Sequence, residues 1–600
     1  MEPVVAEESF EVKAPPEKVW PFIADTDRMN RRLGLGGVKY TPIGDTEKGR
    51  TPARFIAETK LGGFTTKYEE RPWEWTWTRG LSVRRDFQGS PIASLTVSWK
   101  MEAKGNGSLL HIRLEAMPRS VMIRPVVWWN LRANVNGFRT LTSEIEAHLA
   151  SGAPSPFLSP KTAAQQDSLE RCLAELATRG TKKPVLDRLR TLVSDAPDAD
   201  CVKLRPFELA DGWMEDRREV LVAFLNAVPA GLFEMRWSLV CPSCRTAAAE
   251  VPTLQDISTQ GHCNQCDITF EAELDRAVEA CFRPAAAVRS VGELMFCAAG
   301  PARTPHVLVQ ANLELGEPRT LLAPPLPGQY SLFARGGSRA RLEVEASGPS
   351  EATLTLGKDG FAQPGVTLAP WGTLKVLNES GEPRHMKIER REYASGAVTA
   401  HYLTTVPEFR ALFSKDLLKR GTPLKVSRVS LLFTDLTGST ALYSSVGDAA
   451  AFRFVDDHFD VLRGAVVAAG GTVVKTMGDA VMAAFIDDAT CARAAFACLS
   501  AFDEFRRKTP HAEATALKLG VHGGPCYVVT ANGTLDFFGQ TVNVAARLQG
   551  LAESGEVVIQ AEAWNQLPAA MRDALSVSAP FQARVKGVTE ELTLVRVKSK

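Results

Sequence analysis

Two groups of residues in this 600-residue chain have types and spacings suited to chemistry. The first is a set of polar side chains between Arg428 and Arg547. An apolar run, Val429-Ser430-Leu431-Leu432-Phe433, ends in Thr434-Asp435-Leu436-Thr437-Gly438-Ser439-Thr440, so a buried strand delivers a carboxylate to a loop. A second apolar stretch, Thr472-Val473-Val474-Lys475, reaches Met477-Gly478-Asp479 and resumes as Ala480-Val481-Met482-Ala483-Ala484-Phe485. That is the outline of a hairpin whose glycine bend presents a second carboxylate. Asp536 follows, then Asn543 and Arg547, four residues apart and therefore on one face of a helix. The second group is Cys241-Pro242-Ser243-Cys244 and Cys263-Asn264-Gln265-Cys266, with 18 residues between the pairs, the spacing of a zinc ribbon. Four thiolates closed on one Zn²⁺ leave no open coordination position, which makes such a site structural rather than catalytic. Buried free thiols or two disulfides are the other readings of these cysteines, the disulfides being unusual in a reducing cytoplasm.

Singly, each residue of the first group reads as an ordinary turn or helix-surface residue. In order, Lys475 included, six of them resemble the catalytic motif of the class III adenylyl and guanylyl cyclases, over about Val426 to Val597. The resemblance implies two Mg²⁺ or Mn²⁺ ions per active site, held by Asp435 and Asp479 with the backbone carbonyl of Leu436 as a further ligand. Joining the ribose 3′-oxygen to the α-phosphorus requires an activated attacking oxygen and a neutralised pyrophosphate, the work of two metals in in-line displacement. Hard ions of this kind take oxygen ligands. Lys475 and Asp536 match the purine-reading pair. An ammonium for ring N1 and a carboxylate for the 6-amino group suit adenine, and guanine reverses that pattern. Asn543 would orient the ribose and Arg547 would stabilise charge on the α-phosphoryl oxygens. Lys518 and Lys586 fall where family members place phosphate-binding cations; Lys518 stands where Arg is common and lacks its bidentate fork.

The same resemblance implies a head-to-tail homodimer through the cyclase domain. One subunit would give Asp435 and Asp479, the other Lys475, Asp536, Asn543 and Arg547. Lys475 and Asp479 sit too close along one hairpin to reach opposite ends of a single extended nucleotide. The expected function is an adenylate cyclase, converting ATP to 3′,5′-cyclic AMP and pyrophosphate under the control of the N-terminal domains. The alternatives are a guanylate cyclase, or a ligand-binding signalling protein whose cyclase fold serves only for dimerisation.

The elements that must position these groups follow from periodicity. Phe452, Val455, Phe459, Leu462 and Val466 form an apolar helix stripe ending at Gly470-Gly471. The order strand, helix, helix, strand pair, helix, strand, helix fits the ferredoxin-like α/β fold implied for 426–600. Upstream, Phe409, Leu412, Phe413 and Leu417, closed by Gly421 and Pro423, predict a linker helix from Pro407 to Arg420 within 403–425. It could pair subunits, transmit a change from upstream, or pack on its own domain. Alternating apolar stretches and Gly/Pro turns predict a β-rich sandwich over 276–402. The zinc ribbon occupies 239–275. Residues 160–238 read as helices followed by a strand, a winged-helix-like order without the basic face of a DNA reader, hence a packing or relay module.

Residues 1–150 combine a helix start at Pro15-Pro16-Glu17-Lys18-Val19-Trp20, strands through Phe64 to Ala116, and a closing helix from about Pro125 to Ala150. This α+β order resembles the START-like (SRPBCC, polyketide-cyclase-like) helix-grip superfamily, which encloses a cavity under its long helix. Trp73, Trp75 and Trp77 alternate and share a strand face, and Trp128 and Trp129 lie on the closing helix. They could line a pocket for a small apolar ligand or simply be core. Ser151-Gly152-Ala153-Pro154-Ser155-Pro156 reads as a linker.

Apolar content of 45%, 23% charged residues and a formal net charge of +1 describe a multidomain globular chain and argue against a nucleic-acid partner. The N-terminus lacks the basic and apolar regions of a signal peptide. Even Val121 to Leu131 is interrupted by Arg124 and Pro125, short of a membrane span. No membrane partner and a cytoplasmic location are therefore expected.

Overall fold

The computed structural model describes residues 2–599 except 35, 44–53, 62–63, 154, 158–160, 293–296, 298–299, 391–395, 414–417, 420–421, 511 and 586–590. At the N-terminal end, Val4–Val12, Gly107–Pro118, Ile92–Lys104 and Gly80–Gln88 pair antiparallel in that order. The helix Arg124–Ser151 lies across this sheet and buries Leu131, Val135, Phe138, Leu141 and Ile145, the stripe expected of 3.6-residue periodicity, against Trp99, Leu110, Ile112 and Leu114. Gly152, at φ +67°, ends it in the left-handed conformation a helix stop favours.

The tryptophans part company in the structure. Trp73 and Trp75 are buried, and the Trp75 indole donates to the Val307 carbonyl at 2.9 Å. Trp128 and Trp129 are neither core nor cavity lining; they are 52% and 69% exposed. The short strand Glu74–Thr76 also joins two regions. Trp75 and Thr76 pair with Gln310 and Val309, so the N-terminal sheet runs on into the strands Val307–Leu313, Arg384–Arg390, Gly328–Ala334, Ser338–Val344 and Gly365–Leu368. That second half faces a four-stranded sheet across a core that includes Leu332, Leu354, Leu374 and Ile388. The sandwich predicted for 276–402 thus shares one of its sheets with the N-terminal region. Val278–Pro284 lies outside it, pairing with Phe233–Val240, whose other edge takes Ala247–Val251, in a three-stranded sheet.

That three-stranded sheet packs on helices between Gln166 and Ala227, and their common core continues into the C-terminal region through Leu274, Val278, Phe409, Leu424, Val426, Leu431 and Phe433. The linker helix spans Pro407–Leu412; its expected extension through Leu417 to Arg420 falls largely outside the described residues. Phe409 meets Trp237 edge to face at 5.9 Å, and Glu408 accepts from Arg218 at 2.9 and 3.0 Å.

In the C-terminal region the strands run Thr472–Met477, Ala480–Phe485, Leu424–Thr437, Ala516–Ala531, Glu556–Gln560, Leu592–Ser599 and Leu575–Val577 across one sheet. Alternation sends Leu432, Val481 and Phe485 toward the helices Asp448–Ala468 and Asp488–Lys508. Leu431, Phe433 and Met482 point to the other face, where the helix Gln540–Gly550 and the linker pack. Among the described residues no helix is long and apolar enough to cross a membrane.

The junction with the linker contains a buried histidine. The His401 backbone N–H donates to the Leu274 carbonyl at 3.0 Å, and burial pushes its imidazole down to about 4 from an ordinary 6.5, against the pull of Asp275 and the Arg428 backbone. The folded chain therefore binds fewer protons than the unfolded one between these values, so this site's stabilisation is complete above about pH 6.5 and declines as pH falls toward about 4. His401→Gln is expected to flatten the pH dependence of the thermal midpoint over that interval; a dependence as steep as that of the parent would contradict the assignment.

Candidate active site

The strand Leu424–Thr437 does not release Asp435 into a loop as its sequence suggested. Its ladder with Ala516–Ala531 continues to Thr437, setting Asp435 directly opposite Lys518, and the Thr437 hydroxyl donates to the Ala516 carbonyl at 2.9 Å. Gly438 then breaks the strand at φ +80°, where a Cβ would lie 2.6 Å from the Ala514 carbonyl oxygen. On the strand's other side Phe433 pairs with Met482, and the Val481 N–H donates to the Thr434 hydroxyl at 3.1 Å. The ladder itself ends at Phe433–Met482; its register, extended two residues, points Asp435 toward Ala480 and the turn that holds Gly478 and Asp479. Both carboxylates are half-buried, and among the described residues neither has an ion-pair partner. Leu436 turns its side chain into the core on the opposite face, leaving only its backbone available here.

The purine-pair residues meet within one chain. Lys475 Nζ lies 2.6 Å from Asp536 Oδ2, and the second Asp536 oxygen accepts from the Phe537 N–H at 2.8 Å. The ammonium is 37% exposed and the carboxylate 15%, so the pair is worth no more than about 1 kcal/mol to stability and remains open to a ligand. Asn543 and Arg547 are exposed on the helix Gln540–Gly550, whose Val544, Ala545 and Leu548 face inward. Gly520 permits this helix to sit directly on the sheet, because a Cβ there would lie 2.2 Å from the Gln549 backbone nitrogen. Lys586 falls outside the described residues.

Sequence reasoning passed over Arg410. Its guanidinium donates to the Leu535 carbonyl at 2.6 Å, on the strand that carries Asp536. Burial depresses its pKa, and the Asp536 charge opposes that depression. The apolar spacing of the linker identified a helix, but no sequence pattern marks a side chain that caps a carbonyl 125 residues away.

The sulfurs of Cys241, Cys244, Cys263 and Cys266 all lie within 4.8 Å of one another and are buried. The Ser243 and Cys266 N–H groups donate to Cys241 and Cys263 sulfurs at 3.4 and 3.5 Å, and Lys387 Nζ donates to Cys266 Sγ at 3.3 Å. Burial alone would depress the Lys387 ammonium, but the Cys266 and Cys244 thiolates facing it hold it above the ordinary lysine range. Donors gathered around negative sulfur fit a tetrahedral thiolate site for one metal ion. The other seven cysteines are buried.

Residues 423–595 match the family model described as the adenylate and guanylate cyclase catalytic domain, and residues 3–149 match that described as polyketide cyclase/dehydrase and lipid transport. Residues 167–295 match a family of unknown function. The chain is similar to adenylate cyclase 2 of Rhizobium meliloti, 31% identical over 159 residues that make up 24% of this chain and 43% of the relative. It is also similar to an adenylate cyclase of Anabaena cylindrica, 33% identical over 138 residues, 21% of this chain and 28% of the relative. The chain therefore spans less than half the length of these curated relatives. Among solved structures, the adenylyl cyclase CyaB of P. aeruginosa aligns over 30% of this chain and 97% of its own, at 21% identity and a TM-score of 0.26.

Gly520→Ala is expected to displace the helix bearing Asn543 and Arg547 and to cost roughly 1–3 kcal/mol, measured by urea unfolding. Gly550→Ala, whose Cβ meets nothing within 4 Å, is the control. Equal, small effects from both would contradict close contact at Gly520.

Proposed function

We propose that this chain, whose residues 423–595 are an adenylyl/guanylyl cyclase catalytic domain, is an adenylate cyclase that makes 3′,5′-cyclic AMP and pyrophosphate from ATP. The observation that carries this reading is the Lys475–Asp536 pair, a donor and an acceptor 2.6 Å apart and still open to solvent. Adenine N1 accepts from an ammonium, and the 6-amino group donates to a carboxylate; guanine offers a donor and an acceptor in the opposite order. The adenylate cyclases of Rhizobium meliloti and Anabaena cylindrica, similar over the same region, support the reading.

Asp435 and Asp479, with the Leu436 carbonyl, would hold two Mg²⁺ or Mn²⁺ ions, which when bound supply charge neutralisation and an activated 3′-oxygen. Lys518, opposite Asp435, and Lys586 would receive the phosphates. Asn543 would fix the ribose, and Arg547 would meet the charge that builds on the α-phosphoryl group as the pyrophosphate departs. Because Lys475 and Asp536 already pair within one chain, each site of a homodimer would join them, Asn543 and Arg547 to the carboxylates of the partner. Arg410 is a positioning residue: it anchors the strand that bears Asp536. The four cysteines would bind one structural zinc. The cavity of about 370 Å³ between the N-terminal sheet and the helix Arg124–Ser151, lined mainly by apolar side chains, would take a small apolar regulatory ligand.

Asp435→Ala and Arg547→Ala are each expected to lower cyclic AMP production on the order of a hundred-fold, measured with ATP and Mn²⁺. Mixing the two inactive variants should restore activity, since one composite site regains every group; mixtures as inactive as their components would argue against sites shared between subunits. For Arg410→Ala the expected change is a raised KM for ATP with a smaller effect on kcat, partly rescued by Lys; a purely structural role would instead lower the thermal midpoint and leave KM alone. Cys244→Ser should remove one zinc per chain by elemental analysis, and metal content unchanged would contradict the thiolate site.

A further inference from the structure

The stretch that is too short to span a bilayer has a different property in three dimensions. Five of the fourteen large apolar side chains left exposed in the described structure fall between Val121 and Trp129: Val121 65%, Met122 88%, Val126 68%, Trp128 52% and Trp129 69%. Met122, Val126 and Trp129 follow the 4-then-3 spacing of one helical face. They lie on the turn Val121–Ile123 and the first turns of the helix Arg124–Ser151, whose buried stripe begins only at Leu131. A concentrated apolar patch of this kind is not the scattered exposure ordinary surfaces tolerate.

Its charge is equally local. From Arg119 to Ser143 there are four arginines and no acidic residue, in a chain whose net charge is +1. Arg132 and Arg139 are answered by Glu8. Among the described residues the Arg119 guanidinium bonds the Phe87 and Ser90 carbonyls, at 2.8 and 3.1 Å, and that of Arg124 the Glu2 carbonyl at 2.5 Å. Among the described residues neither has a carboxylate partner, so two uncompensated positive charges flank the apolar face. Val126 belongs to both the exposed patch and the lining of the apolar cavity, which puts the patch at the cavity's rim.

We propose that this end of the helix docks on the surface of an anionic phospholipid bilayer, with Met122, Val126 and Trp129 entering the headgroup boundary and Arg119 and Arg124 facing lipid phosphates. The combination of an apolar face, interfacial tryptophan and flanking arginine is the physics of an interfacial rather than a spanning segment. Charge selects this occupant over a second copy of the chain, because two such faces would bring four like charges together.

The test uses full-length protein and vesicles of phosphatidylcholine with and without phosphatidylglycerol. Co-sedimentation and a blue shift of tryptophan emission are expected only with the anionic vesicles, weakening as salt is raised. Met122→Glu with Trp129→Glu should reduce binding on the order of ten-fold or more, and Arg119→Gln and Arg124→Gln roughly five-fold each. All four residues lie outside the cyclase site, so turnover of ATP in solution should be unchanged in every variant. Absence of sedimentation, or equal binding to both vesicle types, would overturn the proposal. So would glutamate variants that bind vesicles as the parent does, or that instead lose a dimer in light scattering, which would assign the patch to a second copy.

Discussion

The register of one strand, Leu424–Thr437, bears on where three candidate-site residues lie, Asp435, Asp479 and Lys518. It is hydrogen-bonded on one side to Ala480–Phe485, up to the Phe433–Met482 pair, and on the other to Ala516–Ala531, so one ladder carries the chain toward the Asp479 turn and the other sets Asp435 opposite Lys518. A slip of one residue would send Asp435 into the apolar core under the helix Asp448–Ala468 and bring Leu436 to the functional face. That slip is costly because it would bury an unpartnered carboxylate in the apolar core that holds Leu432 and Leu436.

The same strand is the point at which the rest of the chain takes hold. Near its start Lys425 pairs with Glu273 at 3.1 Å and its carbonyl accepts from Leu274 N–H at 2.9 Å, while Ser427 bonds Asp275. The shared apolar core continues through these contacts, so the central module and the cyclase sheet are not beads on a flexible string. The linker adds a second connection: Glu408 to Arg218 on one side, Arg410 to Leu535 on the other. Both routes end on strands that carry candidate-site residues, Asp435 and Asp536, which would give an upstream event a physical path to the proposed site.

What could be read from the sequence was local in nature. The cysteine pairs are legible because zinc-ribbon geometry is written in two short spacings, and the Asp479 turn because Gly478 sits between two apolar runs. The Thr, Gly and Ser that follow Asp435 suggest a loop; only the pairing with Ala516–Lys518, 79 or more residues away, keeps it in a strand. The merging of the N-terminal sheet with the sandwich rests on Trp75 opposite Gln310, a contact no periodicity announces. Trp128 and Trp129 show the converse failure: aromatic residues on a helix are usually core, and their exposure depends on which arc of the helix meets the sheet. Arg410 was invisible because its acceptor is a backbone carbonyl.

The central claim is that Lys475 and Asp536 admit adenine to a site that cyclises its triphosphate. The most direct measurement incubates the purified full-length chain with ATP or GTP and Mn²⁺, and follows cyclic nucleotide and pyrophosphate together. The account predicts cyclic AMP and pyrophosphate in equal amounts from ATP, with GTP turned over far more slowly. Release of no pyrophosphate from ATP, or turnover of GTP at the same rate, would contradict it.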